Sequence, residues 1–337
     1  LVSWFFVSGN VFAGVPADKG ESLRWHYKAG VDERFRVEYK QDLDFNDAAK
    51  EHGNLFYNRL RVNFKAALAD EYLNNMADVF IEGLDARAGG YHLKGTVSQR
   101  DDFDLHQAYV SLYDIVHSSW GIRIGRQELC YGKGRLVAAP TWSNAVRSFD
   151  ASVLRYRADG FYLDLLYGRN VKYKDGHANR SNAKDSLAGF YGGYQKDKVS
   201  PLWEGYFLVQ SITNTATKVR RFTVGPRSQG RLFGGIVYDI EIPYQCGQTG
   251  SRQIKAWAAH LDLSKSFEGF FWKPQVVFEY NQATGDTDPG DDVSNTFIPL
   301  YQSTHDVYGG PMDLFRWENI REVIGRVNLS PTEKITL

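Results

Sequence analysis

Apolar side chains recur at every second position in one segment of this chain after another. Val31, Phe35, Val37 and Tyr39 share a face, with Asp32, Arg34, Arg36, Glu38 and Lys40 on the other. Phe56, Leu60, Val62 and Phe64 alternate with Tyr57, Arg59, Arg61, Asn63 and Lys65, and Trp120, Ile122 and Ile124 with Gly121, Arg123 and Gly125. The same pattern runs through Phe161–Gly168, Ala256–Leu263 and Gln275–Asn281. Successive residues of a strand point to opposite faces, so each segment reads as a strand with one apolar side and one largely polar side. A composition of 15% aromatics with 32 Gly also favours strands joined by turns.

The pattern places strands near 31–41, 54–67, 75–86, 103–116, 119–128, 148–158, 160–170, 187–196, 203–213, 219–225, 231–245, 252–265, 271–284, 318–329 and from 333 onward. Alternation alone also suits a soluble sandwich. The connections decide between the two. After the odd-numbered strands come mostly long segments such as 87–102, 129–147, 171–186 and 285–317, and after the even-numbered ones tight joins such as Asp159 and 330–332. Short turns on one rim and long loops on the other are the signature of an outer-membrane barrel, with the short turns periplasmic. Several strands also exceed the usual five or six residues, as a tilted bilayer span requires. Trp120, Phe161, Trp203 and Phe270-Phe271-Trp272 stand beside the short turns as an interfacial girdle would. The fold class is therefore all-β: a transmembrane antiparallel up-and-down β-barrel.

No run of 18 apolar residues occurs, which excludes a transmembrane helix and leaves a barrel open. Leu1–Ala13 is a short apolar stretch closing on Val11-Phe12-Ala13, a small-x-small pattern. It reads as the remnant of a signal peptide (1–13), with a first strand as the alternative, followed by one barrel domain over 14–337. The 40 basic and 40 acidic residues balance, so no global field points to nucleic acid. Cys130 and Cys246 are too few for a disulfide framework and fit no metal spacing.

Three stretches carry a resemblance. They are Asp104-Leu-His-Gln-Ala-Tyr-Val110; Ile124-Gly-Arg-Gln-Glu-Leu129 through Tyr131-Gly132, Arg135-Leu136, Trp142 and Asn144 to Arg147-Ser-Phe-Asp150; and Gly285-Asp-Thr-Asp-Pro-Gly-Asp291 through Asn295-Thr-Phe297, Leu300 and His305 to Asp313-Leu-Phe315. In this order and over most of the chain they resemble the alginate-export family of outer-membrane porins. That resemblance implies an eighteen-stranded barrel, of which this chain supplies about fourteen or fifteen strands and stops before the last three. It also implies an arginine-lined lumen that passes a polyanionic polysaccharide such as alginate, without enzymatic chemistry.

Candidate site residues follow from strand parity. Arg34, Arg36, Arg59, Arg61, Arg123 and Arg326 take the polar face, where planar guanidinium forks suit carboxylates. Asp32, Glu38, Asp78, Glu82, Asp164, Asp239, Glu241, Asp262 and Glu279 share those faces, so a lumen of mixed charge laced with ion pairs is the competing reading. Arg126 falls on the apolar parity, where an unpaired guanidinium would cost ~2–4 kcal/mol at mid-bilayer. Either a bulge turns it inward or it lies at the headgroup rim; the inward reading is preferred, with Asp150 or Glu128 as its partner. Asp286, Asp288, Asp291 and Asp292 bunch hard oxygen ligands as Ca²⁺ would require, though not at EF-hand spacing, against a plain solvated loop. His106 reads as a hydrogen-bonded strand residue. Expected partners are an anionic polysaccharide, outer-membrane lipid and periplasmic export machinery. A general porin for sugars or anions is the alternative. A barrel hydrolase is the rival of another class, disfavoured because no nucleophile elbow, HExxH or metal cluster appears in the sequence.

Overall fold

The structure, a computed structural model, describes residues 3–14, 23–41, 52–70, 75–90, 99–115, 119–174, 176–214, 217–303 and 315–330. The strands are β1 (Ser3–Gly14), β2 (Leu23–Gln41), β3 (His52–Asp70), β4 (Asn75–Gly90), β5 (Asp101–Leu112), β6 (Trp120–Gln127), β7 (Phe149–Ala158), β8 (Phe161–Lys174) and β9 (His177–Tyr194). They continue as β10 (Leu202–Thr213), β11 (Lys218–Arg231), β12 (Val237–Glu241), β13 (Tyr244–Thr249), β14 (Arg252–Ser266), β15 (Gln275–Ala283), β16 (Val293–Ser294) and β17 (Ile320–Asn328). All seventeen described strands are hydrogen-bonded into one sheet. Its long strands are antiparallel, and only the two-residue β16 runs parallel to its partner β14. Neighbours in sequence pair with one another, as in a meander: β2 with β3, β3 with β4, β4 with β5, β5 with β6.

Several expectations need correcting. Ser3–Gly14, for which a first strand was the alternative to a leader remnant, forms β1 and pairs with β2 from Ser3↔Val37 to Gly14↔His26. The strand at 31–41 is therefore not an edge, since β1 flanks it on one side and β3 on the other. The long loop at 171–186 is instead a hairpin of β8 and β9 with only 175–176 between them. Gly176 there takes φ +73°, which glycine adopts without steric cost. Alternation missed this hairpin because its outer part, with Lys172, His177, Arg180 and Ser181, is polar and exposed on both faces. The strands at 219–225 and 231–245 are divided differently too. β11 runs through Pro226 to Arg231 and pairs with β13 and then β12 in a single register. Pro226 falls opposite Ile242, which donates its N–H to the Pro226 carbonyl (3.1 Å), and Pro243 opposite Gly225, so two neighbouring positions lack a proline N–H where β12 gives way to β13. The strand expected from 333 lies outside the described residues.

Packing divides the chain into two compact units. One comprises Leu1–Leu129, Ala139–Val153 and Gly168–Ala183, the other Cys130–Ala138, Leu154–Tyr167 and Lys184–Leu337. In the first, the faces have the parity read from the sequence but an inverted burial. Val31, Phe35, Tyr39, Phe56, Val62, Phe64, Val79 and Ile81 are exposed, while Arg34, Arg36, Glu38, Arg59, Asp78 and Glu82 are buried. The second repeats this. Phe161, Leu165, Tyr167, Trp203, Tyr244, Trp257 and Phe278 are exposed, and Asp164, Glu204, Arg227, Asp239, Glu241, His260 and Glu279 are buried. A protein surrounded by water buries charges only at large cost and does not expose whole rows of aromatics. A sheet facing hydrocarbon on one side and polar groups on the other does both at no penalty.

Candidate functional site

The buried polar faces are filled by segments of chain folded onto them. In the first unit the segment 139–147 lies over β2 and β3, and three arginines hold it. Arg34 donates to the carbonyls of Thr141 (2.8 Å), Trp142 (2.9 Å) and Ser143 (3.2 Å). Arg59 donates to Thr141 (2.9 Å) and Ser143 (3.1 Å), and Arg36 to Trp142 (2.6 Å). Arg36 also lies between the rings of Tyr57 and Trp142, at 4.3 and 4.2 Å, and pairs with Glu38 at 2.9 Å. Asn144 completes the anchorage, its amide donating to the carbonyls of Asn58, Arg87 and Gln99. Strand parity identifies these arginines; their commitment to loop carbonyls has no sequence signal, because the partners lie about a hundred residues away.

Beside them, Arg61 stands 3.7 Å from Glu82 and 3.3 Å from Glu128. His106 Nε2 is 2.8 Å from the same Glu128 oxygen. Burial works to raise the Glu128 carboxyl, but the His106 hydrogen bond and the charges of Arg61 and Arg59 outweigh it and hold Glu128 below its ordinary range. On β6, Arg123 donates from Nε to Ser111 (3.0 Å) and lies 4.2 Å over the Tyr109 ring. Among the described residues it meets no carboxylate. Arg126 keeps the parity of exposed Ile124, since the β5–β6 register is unbroken at Ala108↔Arg126 and Val110↔Ile124. The inward turn is thus not found. Arg126 takes both oxygens of Asp150, one of its two expected partners, at 2.8 and 3.3 Å, with the Leu105 and Asn179 carbonyls at 3.0 and 3.3 Å. A paired fork at the strand end removes most of the cost of a cation on that face.

In the second unit two segments meet. Residues 130–138 and 297–303 join through Tyr301 N–H to the Leu136 carbonyl (2.7 Å) and Ala138 N–H to the Tyr301 carbonyl (2.9 Å). The Gln245 amide clamps the Ile298 backbone from both sides, at 2.8 and 3.1 Å. Arg135 secures the first segment. Its guanidinium reaches Asp239 (3.0 Å), Glu241 (3.1 Å) and His260 (2.6 Å) on β12 and β14. Arg227 bridges Glu204 and Asp239, and Tyr206 donates to Glu241 at 3.0 Å. Burial and the Asp164 carboxylate push the Tyr131 phenol far up, so it stays a donor to Asp164 at 3.3 Å. Arg135 lies inside the Ile124–Asp150 motif, but nothing local in the sequence marks it as an anchor, because its partners lie more than a hundred residues away. Arg326 pairs with Glu279 at 2.9 Å and lines a cleft of about 690 Å³ with Lys133, Lys198, Arg231, Asp239 and Asp262.

The acidic loop gathers around a cation of the chain's own. Arg252 meets Asp286 at 2.7 Å and Asp291 at 3.3 Å and donates to the backbone carbonyls of Asp291 and Asp288. Asp288 accepts from the Gly290 N–H at 3.1 Å. Asp292 contributes its carbonyl to Gln253. The guanidinium thus supplies a positive charge to Asp286 and Asp291, two of the four carboxylates weighed as calcium ligands against a solvated loop. Removing it in Arg252→Ala is expected to speed proteolytic nicking between Gly285 and Val293, and calcium is expected to give the wild-type loop no added protection. Protection of the wild-type loop by calcium, with Arg252→Ala nicked no faster, would reverse that reading.

The sequence profile of a family described as alginate export matches residues 26–337. Among solved structures the chain is similar to OccK7 (OpdD) of Pseudomonas aeruginosa, at 12% identity and a TM-score of 0.45, covering 97% of this chain and 75% of that one. Among curated proteins, none matches this sequence.

Proposed function

The chain belongs to the alginate export family, a family of outer-membrane channels and not of enzymes, and from that premise we propose that its sheet closes into a transmembrane barrel of the family's eighteen-stranded type. The buried face lines the channel, which passes an anionic polysaccharide such as alginate. One observation carries this reading: within each unit the arginine-bearing face, with Arg34, Arg36, Arg59, Arg61 and Arg123 in the first and Arg227 in the second, is turned away from that unit's exposed aromatic face. Aromatics exposed near the short turns, Phe161, Trp203 and Phe270–Trp272, suit a membrane interface. On this reading outer-membrane lipid covers the apolar face, and the short-turn rim is where periplasmic export machinery would dock.

Most guanidinium groups on that face are committed to carbonyls or carboxylates, so they set the local field rather than bind solute at full strength. Arg123 offers an uncommitted fork. Its removal changes the interaction with a passing carboxylate by about 1 kcal/mol at contact in water, up to about fivefold in occupancy. Arg123→Ser in the full-length protein is therefore expected to lower anion-over-cation permeability, read as a reversal-potential shift in a salt gradient, and to weaken block by oligouronates. An unchanged reversal potential together with unchanged block would reject Arg123 as a solute contact.

A second reading has its own support. The pairs Arg36–Glu38, Arg135–Glu241, Arg227–Glu204 and Arg326–Glu279 neutralise much of the face, as in a general porin for sugars or small anions. Equal conductance for neutral and anionic oligosaccharides would favour it.

A further inference from the structure

Glu82 on β4, His106 on β5 and Glu128 just beyond β6 bring three ligand atoms, Glu82 Oε1, His106 Nε2 and Glu128 Oε1, within 4.8 Å of one another. His106 Nε2 is 2.8 Å from the Glu128 oxygen and 4.0 Å from that of Glu82. We propose that these three residues form a binding site for a first-row transition-metal dication of the Zn²⁺ type, on the buried polar face.

A β-bulge brings the imidazole there. Glu82 pairs with Gln107 and Gly83 with Leu105, which leaves His106 as the extra residue of β5. Before the slip the exposed residues of β5 are Phe103 and Leu105, after it Val110 and Leu112. His106 and Gln107 thus turn to the same side, where strict alternation would send one of them outward. Gln107 then supports the Glu82 carboxylate, donating to its Oε1 (3.2 Å), and fixes the Glu128 backbone by accepting its N–H (3.2 Å). Tetrahedral Zn²⁺ with bonds of ~2.0–2.2 Å keeps its ligand atoms roughly 3.3 Å apart, so the present spacing needs only sub-ångström to ångström adjustments. Three protein ligands leave a fourth position for water or a solute oxygen. The imidazole nitrogen selects Zn²⁺, Cu²⁺ or Ni²⁺ over Mg²⁺ and Ca²⁺.

Arg61 is the competitor. Its guanidinium faces the same two oxygens at 3.7 and 3.3 Å but makes no hydrogen bond to either among the described residues. A bound dication displaces this loose contact, so affinity is limited by repulsion from Arg61. That separates a metal site from an ion-pair cluster, because removing Arg61 strengthens the first and only weakens the second.

The test uses the full-length protein in detergent, chelator-treated and free of any polyhistidine tag, with Cys130→Ser and Cys246→Ser as background because both thiols are exposed. Zn²⁺ is titrated by calorimetry, with Mg²⁺ as the control and Co²⁺ absorption as the spectroscopic readout. Expected are one Zn²⁺ per chain, no competition from Mg²⁺, and a Co²⁺ spectrum of low-coordinate type. Affinity should fall by about tenfold or more in His106→Ala and by about tenfold in Gln107→Ala, and rise in Arg61→Gln. If His106→Ala does not fold, Glu128→Gln takes its place with the same expectation. No saturable binding by the background protein, equal affinity in the ligand variants, or weaker binding in Arg61→Gln would each overturn the site.

Discussion

Arg135→Met is expected to loosen the segment 130–138 and, with it, the 297–303 segment to which it is fastened. Arg135 is the cation common to Asp239, Glu241 and His260. Asp239 keeps Arg227 when it is lost, but Glu241 keeps only the Tyr206 hydroxyl as a hydrogen-bond partner among the described residues. Breaking a buried pair from one side leaves an uncompensated charge and costs about 3–5 kcal/mol. The strands hold their own ladders, so the loss should fall on the folded-in segments. Single-channel conductance should rise and become noisier, while the heat-modified mobility of the whole protein on gels persists. Adding Glu241→Gln should recover part of the loss, because the orphaned carboxylate is then neutral. Conductance unchanged in Arg135→Met, with no recovery in the double variant, would show that Arg135 does not hold the segment.

The sequence showed which residues share a face and very little of what those faces touch. Parity put Arg34, Arg36, Arg59 and Arg61 on the polar side of β2 and β3, where the structure has them, because a two-residue period survives any choice of partner. What the guanidinium groups reach depends on a segment folding back from Thr141–Ser143, a long-range fact with no local signature. The bulge at His106 was legible in principle. Apolar positions run 103, 105 and then 108, 110, 112, and that change of parity marks an inserted residue. The β8–β9 hairpin was hidden for the opposite reason, since its outer turns have no apolar face to alternate. Arg126 shows the limit of a cost argument: the penalty for a guanidinium on the apolar parity was real, and Asp150 from the next strand offsets most of it with the strand's parity kept.

The same penalty gives the sharpest test of the membrane face at Val62, where the nearest carboxylates of that face, Glu33 and Asp85, lie one pair away and are held by Asn58 and Arg87. Val62 lies near the middle of β3 on the exposed side, between Val31 of β2 and Gly83 of β4. Val62→Arg is expected to destabilise the protein folded in lipid bilayers by about 2–4 kcal/mol, the cost of a cation near the hydrocarbon midplane. Phe56 is on the same face of the same strand but near its end, and Phe56→Arg should cost only about 0–1 kcal/mol, because there the side chain reaches the headgroups. Depth dependence is the diagnostic, for a water-exposed face would accept both changes within about 0.5 kcal/mol. Urea unfolding from vesicles measures the difference directly. A third variant, Val62→Arg with Val31→Asp, places a carboxylate directly across the strand pair and should return part of the loss, as Asp150 does for Arg126. Equal small costs at positions 62 and 56 would mean that this face does not lie in hydrocarbon, and the barrel reading would fall with it.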